Sequence, residues 1–253
     1  MTTPLPHPSA GFSLVIPFYN EEDNVAPVLE EAREKLPLAE LVAIDDGSSD
    51  RTWEEIQKFP EVRAVRFVEN RGQSAAVYYG LQLAKGPVVG MMDGDGQNVP
   101  ESFLPMLELL RSGADVVCGY RATRKDNSSR RIASKLANSV RRAVLNDGIR
   151  DTGCSQKVFW KSSVDCLTPF NGLHRYLPAI FLRAGLKIEE SPVGHRERRS
   201  GVSKYTNWKR ALVGVYDLVG VRWLLSRRIP TPAICESLSS FAQRPIREDG
   251  SDK

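Results

Sequence analysis

The sequence lacks several features that would assign it to a familiar class. No two of its four cysteines have a CxxC spacing, so neither a zinc site nor a disulfide framework is indicated. No apolar stretch reaches the roughly 18 to 20 residues that a membrane-spanning helix needs. Residues 1–12 have no basic segment followed by an apolar one, as a signal peptide would. These absences predict a cytoplasmic protein with four reduced thiols: Cys118, Cys154, Cys166 and Cys235.

The phosphate-binding motifs of common nucleotide-binding folds are also missing. No P-loop sequence occurs, and the stretch DGDGQNV has Val99 where a dinucleotide-binding fingerprint needs its third glycine. The same stretch is not an EF-hand, because position 6 of a loop that begins at Asp93 is Asn98 and position 12 is Leu104. Any nucleotide site must therefore be built in another way.

Charge is distributed unevenly along the chain, although the formal net charge is only +4. Residues 1–120 carry 9 Lys and Arg against 19 Asp and Glu, whereas residues 121–253 carry 26 against 12. A basic second half favours an anionic partner, such as a phosphate, a membrane surface or a nucleic acid. A solvated basic face explains the same composition equally well.

Apolar, β-prone segments alternate with helix-like segments through the first 121 residues. This alternation is typical of βαβ units and predicts an α/β fold with a mostly parallel sheet and helices on both faces. The predicted strands lie at 12–17, 62–68, 87–93 and 114–121, with a further apolar strand that begins the segment 40–50 and is followed there by acidic residues. Beyond them we expect a basic helix over 130–146, a strand at 157–160, a helix near 174–184, a strand at 187–193 and a helix at 208–228.

Polar side chains follow three of the predicted strands at their carboxyl ends. In open α/β sheets this edge binds ligands. Asp93, Asp95 and Gln97 alternate along the chain, so an extended backbone would point all three the same way. Oxygen ligands suit a hard divalent cation, but Asp-Gly is also a common turn signal. The other two strands end in Asn20-Glu21 and Asp45-Asp46.

Four segments together resemble the inverting glycosyltransferases of family 2. They are VIPFYNEEDNV, AIDDGSSDRT, NRGQSAAVYYGLQLAKG and MMDGDGQNVPE, which occur in order over residues 12–121. The resemblance implies the GT-A type of nucleotide-sugar-binding fold, in which Asp93 and Asp95 form the metal-binding DxD. It further implies a Mg²⁺ or Mn²⁺ site at Asp93, Asp95 and Gln97, with Asp93 also near the ribose and phosphates. The implied contacts to the base and ribose of the sugar nucleotide are Pro17, Tyr19, Asn20, Glu21 and Asp45.

The second half is similar to the polyprenyl-phosphate glycosyltransferases, the group that includes dolichyl-phosphate mannose synthase. The segments that carry this resemblance are GYR, RRIASKLAN, RDTGCSQKVFWK and HRERRSGVSKYTNW. It implies that Arg121, Arg131 and Ser134 bind the acceptor phosphate, with Arg130 as an alternative register. Arg198 and Lys204 match a loop that closes over the donor diphosphate. Many relatives have Gly-Phe where this chain has residues 154–157, which leaves the role of the 151–157 loop open.

The resemblance implies metal-dependent transfer of a sugar from a GDP- or UDP-sugar to a polyprenyl phosphate, at the cytoplasmic face of a membrane. Two alternatives are a family 2 enzyme that acts on a saccharide hydroxyl and a non-enzymatic nucleotide-sugar-binding protein. We expect an extension at 1–11, a catalytic domain at 12–207 and a tail at 229–253. The catalytic domain would comprise a nucleotide-sugar half (12–121) and an acceptor half (122–207). The helix at 208–228, with tryptophans and basic ends, is equally consistent with lying on a membrane and with packing on the core.

Overall fold

The computed structural model describes residues 7–122, 139–197 and 207–227, and for residues 207–213 the backbone alone. Seven strands and seven helices are described in this part of the chain. The strands are β1 (Phe12–Phe18), β2 (Glu40–Asp45), β3 (Arg63–Arg66), β4 (Val88–Met91), β5 (Val116–Arg121), β6 (Lys157–Trp160) and β7 (Ile188–Val193). The helices are α1 (Glu22–Lys35), α2 (Thr52–Gln57), α3 (Gln73–Leu83), α4 (Phe103–Arg111), α5 (139–145), α6 (Leu173–Arg183) and α7 (Asn207–Ser226).

All seven strands form one sheet in the order β3-β2-β1-β4-β6-β5-β7. Strands β1 to β4 pair in parallel, and β5 pairs in parallel with β7. Strand β6 runs antiparallel between β4 and β5. The predicted mostly parallel sheet is therefore confirmed, and the sequence pattern did not reveal the reversed strand β6 between β4 and β5.

A hydrophobic core lies on each face of the sheet, as continuously apolar strands require. Helices α1, α2 and α4 cover one face, where Leu29, Ile56 and Leu107 are fully buried. Helices α3, α6 and α7 cover the other face, with Leu81 and Leu177 at its centre. Each of these helices turns its apolar side to the sheet, so both faces of the sheet are covered.

Helix α7 packs on the second core by one side and exposes apolar residues on the other. Leu218, Val221 and Leu225 are buried against the core around α6. Arg222 donates a hydrogen bond of 2.8 Å to the Val144 carbonyl in the last turn of α5, which ties the two helices together. The opposite side exposes four apolar side chains: Val215, Tyr216, Val219 and Trp223. Among the described residues, no helix combines the length and apolarity that crossing a bilayer requires.

Candidate active site

The candidate site lies at the carboxyl edge of the sheet, where the polar segments after β1, β2 and β4 meet. The turn after β4 approaches β1 closely, and only glycine allows this approach at position 94. A Cβ atom on Gly94 would lie 2.5 Å from the Phe18 ring and 2.8 Å from the Pro17 carbonyl oxygen. The sequence Asp-Gly-Asp therefore brings two carboxylates to the end of β1, where an alanine between them would not fit.

Two hydrogen bonds, to Gln73 and Ser155, hold Asp93 in place. The side-chain amide of Gln73, the first residue of α3, donates a 2.5 Å hydrogen bond to Asp93 Oδ1. The backbone N–H of Asp93 donates to Ser155 Oγ at 3.3 Å. Burial, together with the negative charge of Asp95, raises the pKa of Asp93 from 3.8 to about 6, while Ser155, Lys157 and Arg121 oppose that rise. The two carboxylates are thus close enough to repel each other, which a bound cation would relieve.

The far end of the same loop is tied to the segment after β7. The backbone N–H of Arg196 donates to the Gln97 carbonyl at 2.9 Å, and Gln97 Nε2 donates to the Arg196 carbonyl at 3.3 Å. Asn98 and His195 form an antiparallel bridge. Asp95 Oδ1 accepts the Gln97 N–H at 3.2 Å, which closes the turn.

Asp45 and Asp46, at the end of β2, are both buried but contact different partners. Asp45 Oδ1 accepts the Ser48 N–H at 3.0 Å. Its Oδ2 lies 3.1 Å from Arg66 Nε, in a geometry that does not align for a hydrogen bond. Asp46 accepts the Arg71 N–H at 2.8 Å and an Asn70 side-chain N–H at 2.9 Å. Asp46 therefore fixes the loop that leads into α3, whereas Asp45 keeps one oxygen that no aligned protein donor satisfies.

The residues after β1 are joined to the loop after β2. Asn20, with a left-handed φ of 51°, donates its backbone N–H to Ser48 Oγ at 2.9 Å and accepts the Ser49 N–H at 2.8 Å. The Glu21 N–H donates to Thr52 Oγ1 at 2.8 Å. These contacts shape the predicted base-binding edge. Pro17 is buried within β1, and Tyr19 is 38 % exposed beside the loop.

Arg121, at the end of β5, forms a two-pronged ion pair with Asp151. Its Nε and Nη2 donate to the two Asp151 oxygens at 2.7 and 2.9 Å, and both side chains are largely buried. This geometry is the strong, bidentate form of an arginine–carboxylate contact. The predicted acceptor-phosphate residue thus has a carboxylate partner, which gives the unassigned 151–157 loop a structural role.

The predicted residues after β1, β2, β4 and β5 lie at one edge of the sheet, and the others fall outside the described part of the chain. The latter are Arg131 and Ser134, with the alternative Arg130, and the pair Arg198 and Lys204. Their predicted roles stay predictions.

Four site residues were not identified from the sequence: Gln73, Ser155, Arg196 and the buried Lys157. Gln73 is the first residue of α3 and follows Gly72, and its side chain points toward the ligand edge of the sheet. The predicted start of this helix could therefore have identified Gln73 as a site residue. Lys157 is fully buried and donates to the Cys154 carbonyl at 2.5 Å. No local pattern distinguishes it from a surface lysine.

The oxygen atoms available at the turn fit a divalent cation. Asp93 and Asp95 supply carboxylates and Gln97 an amide oxygen, all ligands that Mg²⁺ and Mn²⁺ accept. Within the part of the chain that the structure describes, no group of three or more His, Cys, Asp or Glu side chains forms a complete metal cage. This donor set suits a cation that completes its shell with phosphate oxygens and water.

Solved structures share the fold. Glucosyl-3-phosphoglycerate synthase from Mycobacterium tuberculosis, solved in complex with Mn²⁺ and UDP-glucose, superimposes with a TM-score of 0.64 at 21 % identity. The match covers 83 % of this chain and 78 % of that one. At this identity the likeness shows the fold alone, and it confirms the predicted GT-A-like architecture.

Sequence relatives are more similar. The chain is 35 % identical over 235 residues to the dodecaprenyl-phosphate galacturonate synthase of Rhizobium johnstonii, covering 87 % of this chain and 69 % of that protein. It is 34 % identical over 216 residues to the undecaprenyl-phosphate 4-deoxy-4-formamido-L-arabinose transferase of Pectobacterium carotovorum, covering 82 % of this chain and 66 % of the relative. The chain thus spans about two thirds of the length of these relatives.

The sequence pattern of the family described as "Glycosyl transferase family 2" matches residues 13–168. This range contains β1 (apart from Phe12) to β6, the Asp93–Asp95 turn and the Arg121–Asp151 pair, so the match includes part of the candidate site as well as most of the fold. The chain belongs to glycosyl transferase family 2.

Proposed function

We propose that the protein transfers a sugar from a nucleotide diphosphate sugar to a polyprenyl phosphate, with a divalent cation at Asp93, Asp95 and Gln97. One observation carries the proposal. The carboxylate turn after β4 lies within electrostatic range of Arg121, whose positive charge opposes part of the rise in the pKa of Asp93. An anionic turn that suits a cation and its diphosphate is therefore within electrostatic range of an arginine that suits a second phosphate. The names of the relatives, which specify dodecaprenyl and undecaprenyl phosphates, support the acceptor class.

The chain's own residues would bind and orient both substrates. We assign contacts to the base and ribose of the sugar nucleotide to five residues: Pro17, Tyr19, Asn20, Glu21 and Asp45. Arg198 and Lys204 would contact its diphosphate. Asp45 Oδ2 has no hydrogen-bond donor within the described part of the chain, and a ribose or base N–H or O–H group could supply one, which supports the assignment of Asp45 to the donor site. Acceptor contacts fall to Arg121, Arg131 and Ser134.

In this reaction negative charge develops on the leaving diphosphate, while the negatively charged acceptor phosphate acts as the nucleophile. When bound, the cation supplies positive charge that stabilises the leaving diphosphate. A phosphate acceptor, with a second pKa of about 6, is already largely a dianion at neutral pH and needs no general base. Arg121 is oriented by Asp151, whose charge also keeps the pair close to neutral. Arg121 would therefore position the acceptor phosphate without fully neutralising the negative charge that makes it a nucleophile.

Helix α7 supports association with a membrane surface. Its exposed apolar side carries Tyr216 and Trp223, and Arg222 and Arg227 are exposed beside it. Aromatic and basic side chains on one side of a helix are typical of interfacial binding. A polyprenyl chain is itself held in a bilayer, so an enzyme that uses its phosphate benefits from such a surface.

A panel of nucleotide sugars, assayed with undecaprenyl phosphate and Mg²⁺ or Mn²⁺, tests the proposal. GDP-mannose, UDP-glucose, UDP-N-acetylglucosamine and UDP-galacturonate are the first donors to compare, with an activated aminopentose added because of the relatives' names. We expect lipid-linked sugar from one donor, and we expect Asp95→Ala to abolish it. Transfer to a saccharide hydroxyl instead would favour the second family 2 activity. Nucleotide-sugar binding without turnover under any condition would favour a binding protein.

A further inference from the structure

The ion pair between Arg196 and Glu31 joins two distant parts of the chain next to the turn after β4, which carries Asp93, Asp95 and Gln97. Arg196 follows β7, and Glu31 lies in the third turn of α1. Arg196 Nη1 donates to Glu31 Oε2 at 2.9 Å, and Nη2 contacts Oε1. The side chains are 33 % and 22 % exposed. Because the contact is bidentate and partly buried, it holds the Arg196 backbone more firmly than a surface ion pair would.

The backbone of Arg196 in turn fixes the side chain of Gln97. The Arg196 carbonyl is an acceptor only, and it lies 3.3 Å from Gln97 Nε2. It therefore selects the amino side of the amide and leaves the amide oxygen directed elsewhere. The Arg196 N–H donates to the Gln97 carbonyl at 2.9 Å, so the backbone of Gln97 is fixed at the same point.

We propose that Arg196, held by Glu31, is a positioning residue that orients Gln97 so that its amide oxygen faces the cation. The inference rests on the proposed function, because it assumes that the turn after β4 binds a cation. The pair acts through Gln97. Partners of metal ligands commonly change metal affinity about 10- to 100-fold when they are removed. Since this pair acts one residue further away, the lower end of that range applies.

The test measures Mn²⁺ binding directly, without turnover. Mn²⁺ is titrated into the metal-free protein, and the unbound ion is quantified by electron paramagnetic resonance. We expect Arg196→Ala and Glu31→Ala each to weaken Mn²⁺ binding about 10-fold. The double variant should also lose about 10-fold, because both changes break the same contact. Independent effects that multiply to about 100-fold would overturn the proposal, as would single variants that bind Mn²⁺ like the parent.

Two controls separate the possible failures. Arg33 lies on α1, as Glu31 does, and forms an exposed ion pair with Glu61, with an Nη1–Oε1 distance of 2.8 Å. Arg33→Ala breaks this pair. It should leave Mn²⁺ affinity unchanged, and an equal loss there would overturn the proposed role of Arg196. Asp95→Ala reports on the site itself. If Asp95→Ala binds Mn²⁺ like the parent, the metal site of the proposed function is wrong. If it loses binding while Arg196→Ala does not, only the positioning role fails.

Folding is checked on the same samples by far-ultraviolet circular dichroism and thermal melting. Should Arg196→Ala not fold, Glu31→Gln removes the charge from the far end of the pair and leaves the metal loop unchanged. We expect weaker Mn²⁺ binding in this variant too, and parental affinity in it would overturn the proposal.

Discussion

Replacing Asp93 by Asn should stabilise the metal-free protein at neutral pH. The replacement keeps an oxygen for the Gln73 amide, which donates to Asp93 Oδ1, and removes the repulsion between Asp93 and Asp95. The variant should at the same time lose cation binding and sugar transfer. Stability gained where activity is lost is expected when a site holds like charges together for function.

The size and sign of the effect follow from the pKa of Asp93. Folding raises this pKa from 3.8 to about 6. Between these values the folded protein binds the proton more tightly than the unfolded chain, so stability falls as the pH rises through this window. At about 1.4 kcal/mol per pKa unit, the full shift corresponds to at most about 3 kcal/mol. Asp93 is only half-buried, so water screening reduces the expected gain to about 1 to 2 kcal/mol.

Urea denaturation in the presence of a chelator measures this gain. Asp93→Asn should be about 1 to 2 kcal/mol more stable than the parent at pH 7.5, and the difference should vanish near pH 4. Saturating Mn²⁺ should stabilise the parent and leave the variant unchanged. A variant that is less stable than the parent at pH 7.5 without metal would refute the idea that the two carboxylates strain the folded state.

Two further predictions concern the acceptor side, and a third concerns the exposed side of α7. Asp151→Ala leaves the largely buried Arg121 without its carboxylate, so we expect a loss of about 3 kcal/mol in urea denaturation. Arg121→Ala should reduce transfer to undecaprenyl phosphate far more than hydrolysis of the donor, and equal losses in both would argue against an acceptor role. Replacing Trp223 and Tyr216 together by Glu should weaken sedimentation with anionic vesicles at least 10-fold, because about 2 kcal/mol of burial is lost per aromatic side chain. Val68, which is fully exposed and lies outside α7, provides the control. An equal loss of vesicle binding in Val68→Glu would contradict a specific membrane face on α7.

The strands and the position of the carboxylate turn were largely predictable, because local patterns encode both. Continuous apolar runs identified the buried strands, and the position of Asp93 and Asp95 after one of them placed the carboxylates at the ligand edge. The partners of these residues were not predictable. Gln73 contacts Asp93 from 20 positions earlier, and Arg196 contacts Glu31 across 165 positions. The start of α3 after Gly72 indicates that Gln73 faces the ligand edge, but nothing local in the sequence identifies Asp93 or Glu31 as a partner, because only the assembled sheet brings these residues together.

The direction of β6 could not be predicted for the same reason. KVFW is a short apolar run that suits either a parallel or an antiparallel strand. Its direction is set by the strands on either side, since Gly90 pairs with Val158 and Val117 pairs with the same residue from the other side.

The position of β6 has a consequence for how the protein can be divided. A chain cut between residues 122 and 157 separates β6 from both of its neighbours and leaves β4 and β5 with unpaired edges in the middle of the sheet. Neither fragment then contains a complete layer on which its helices can pack. The two fragments should therefore accumulate as insoluble protein when produced separately and become soluble when produced together, which makes this cut a suitable point for a split-protein reporter.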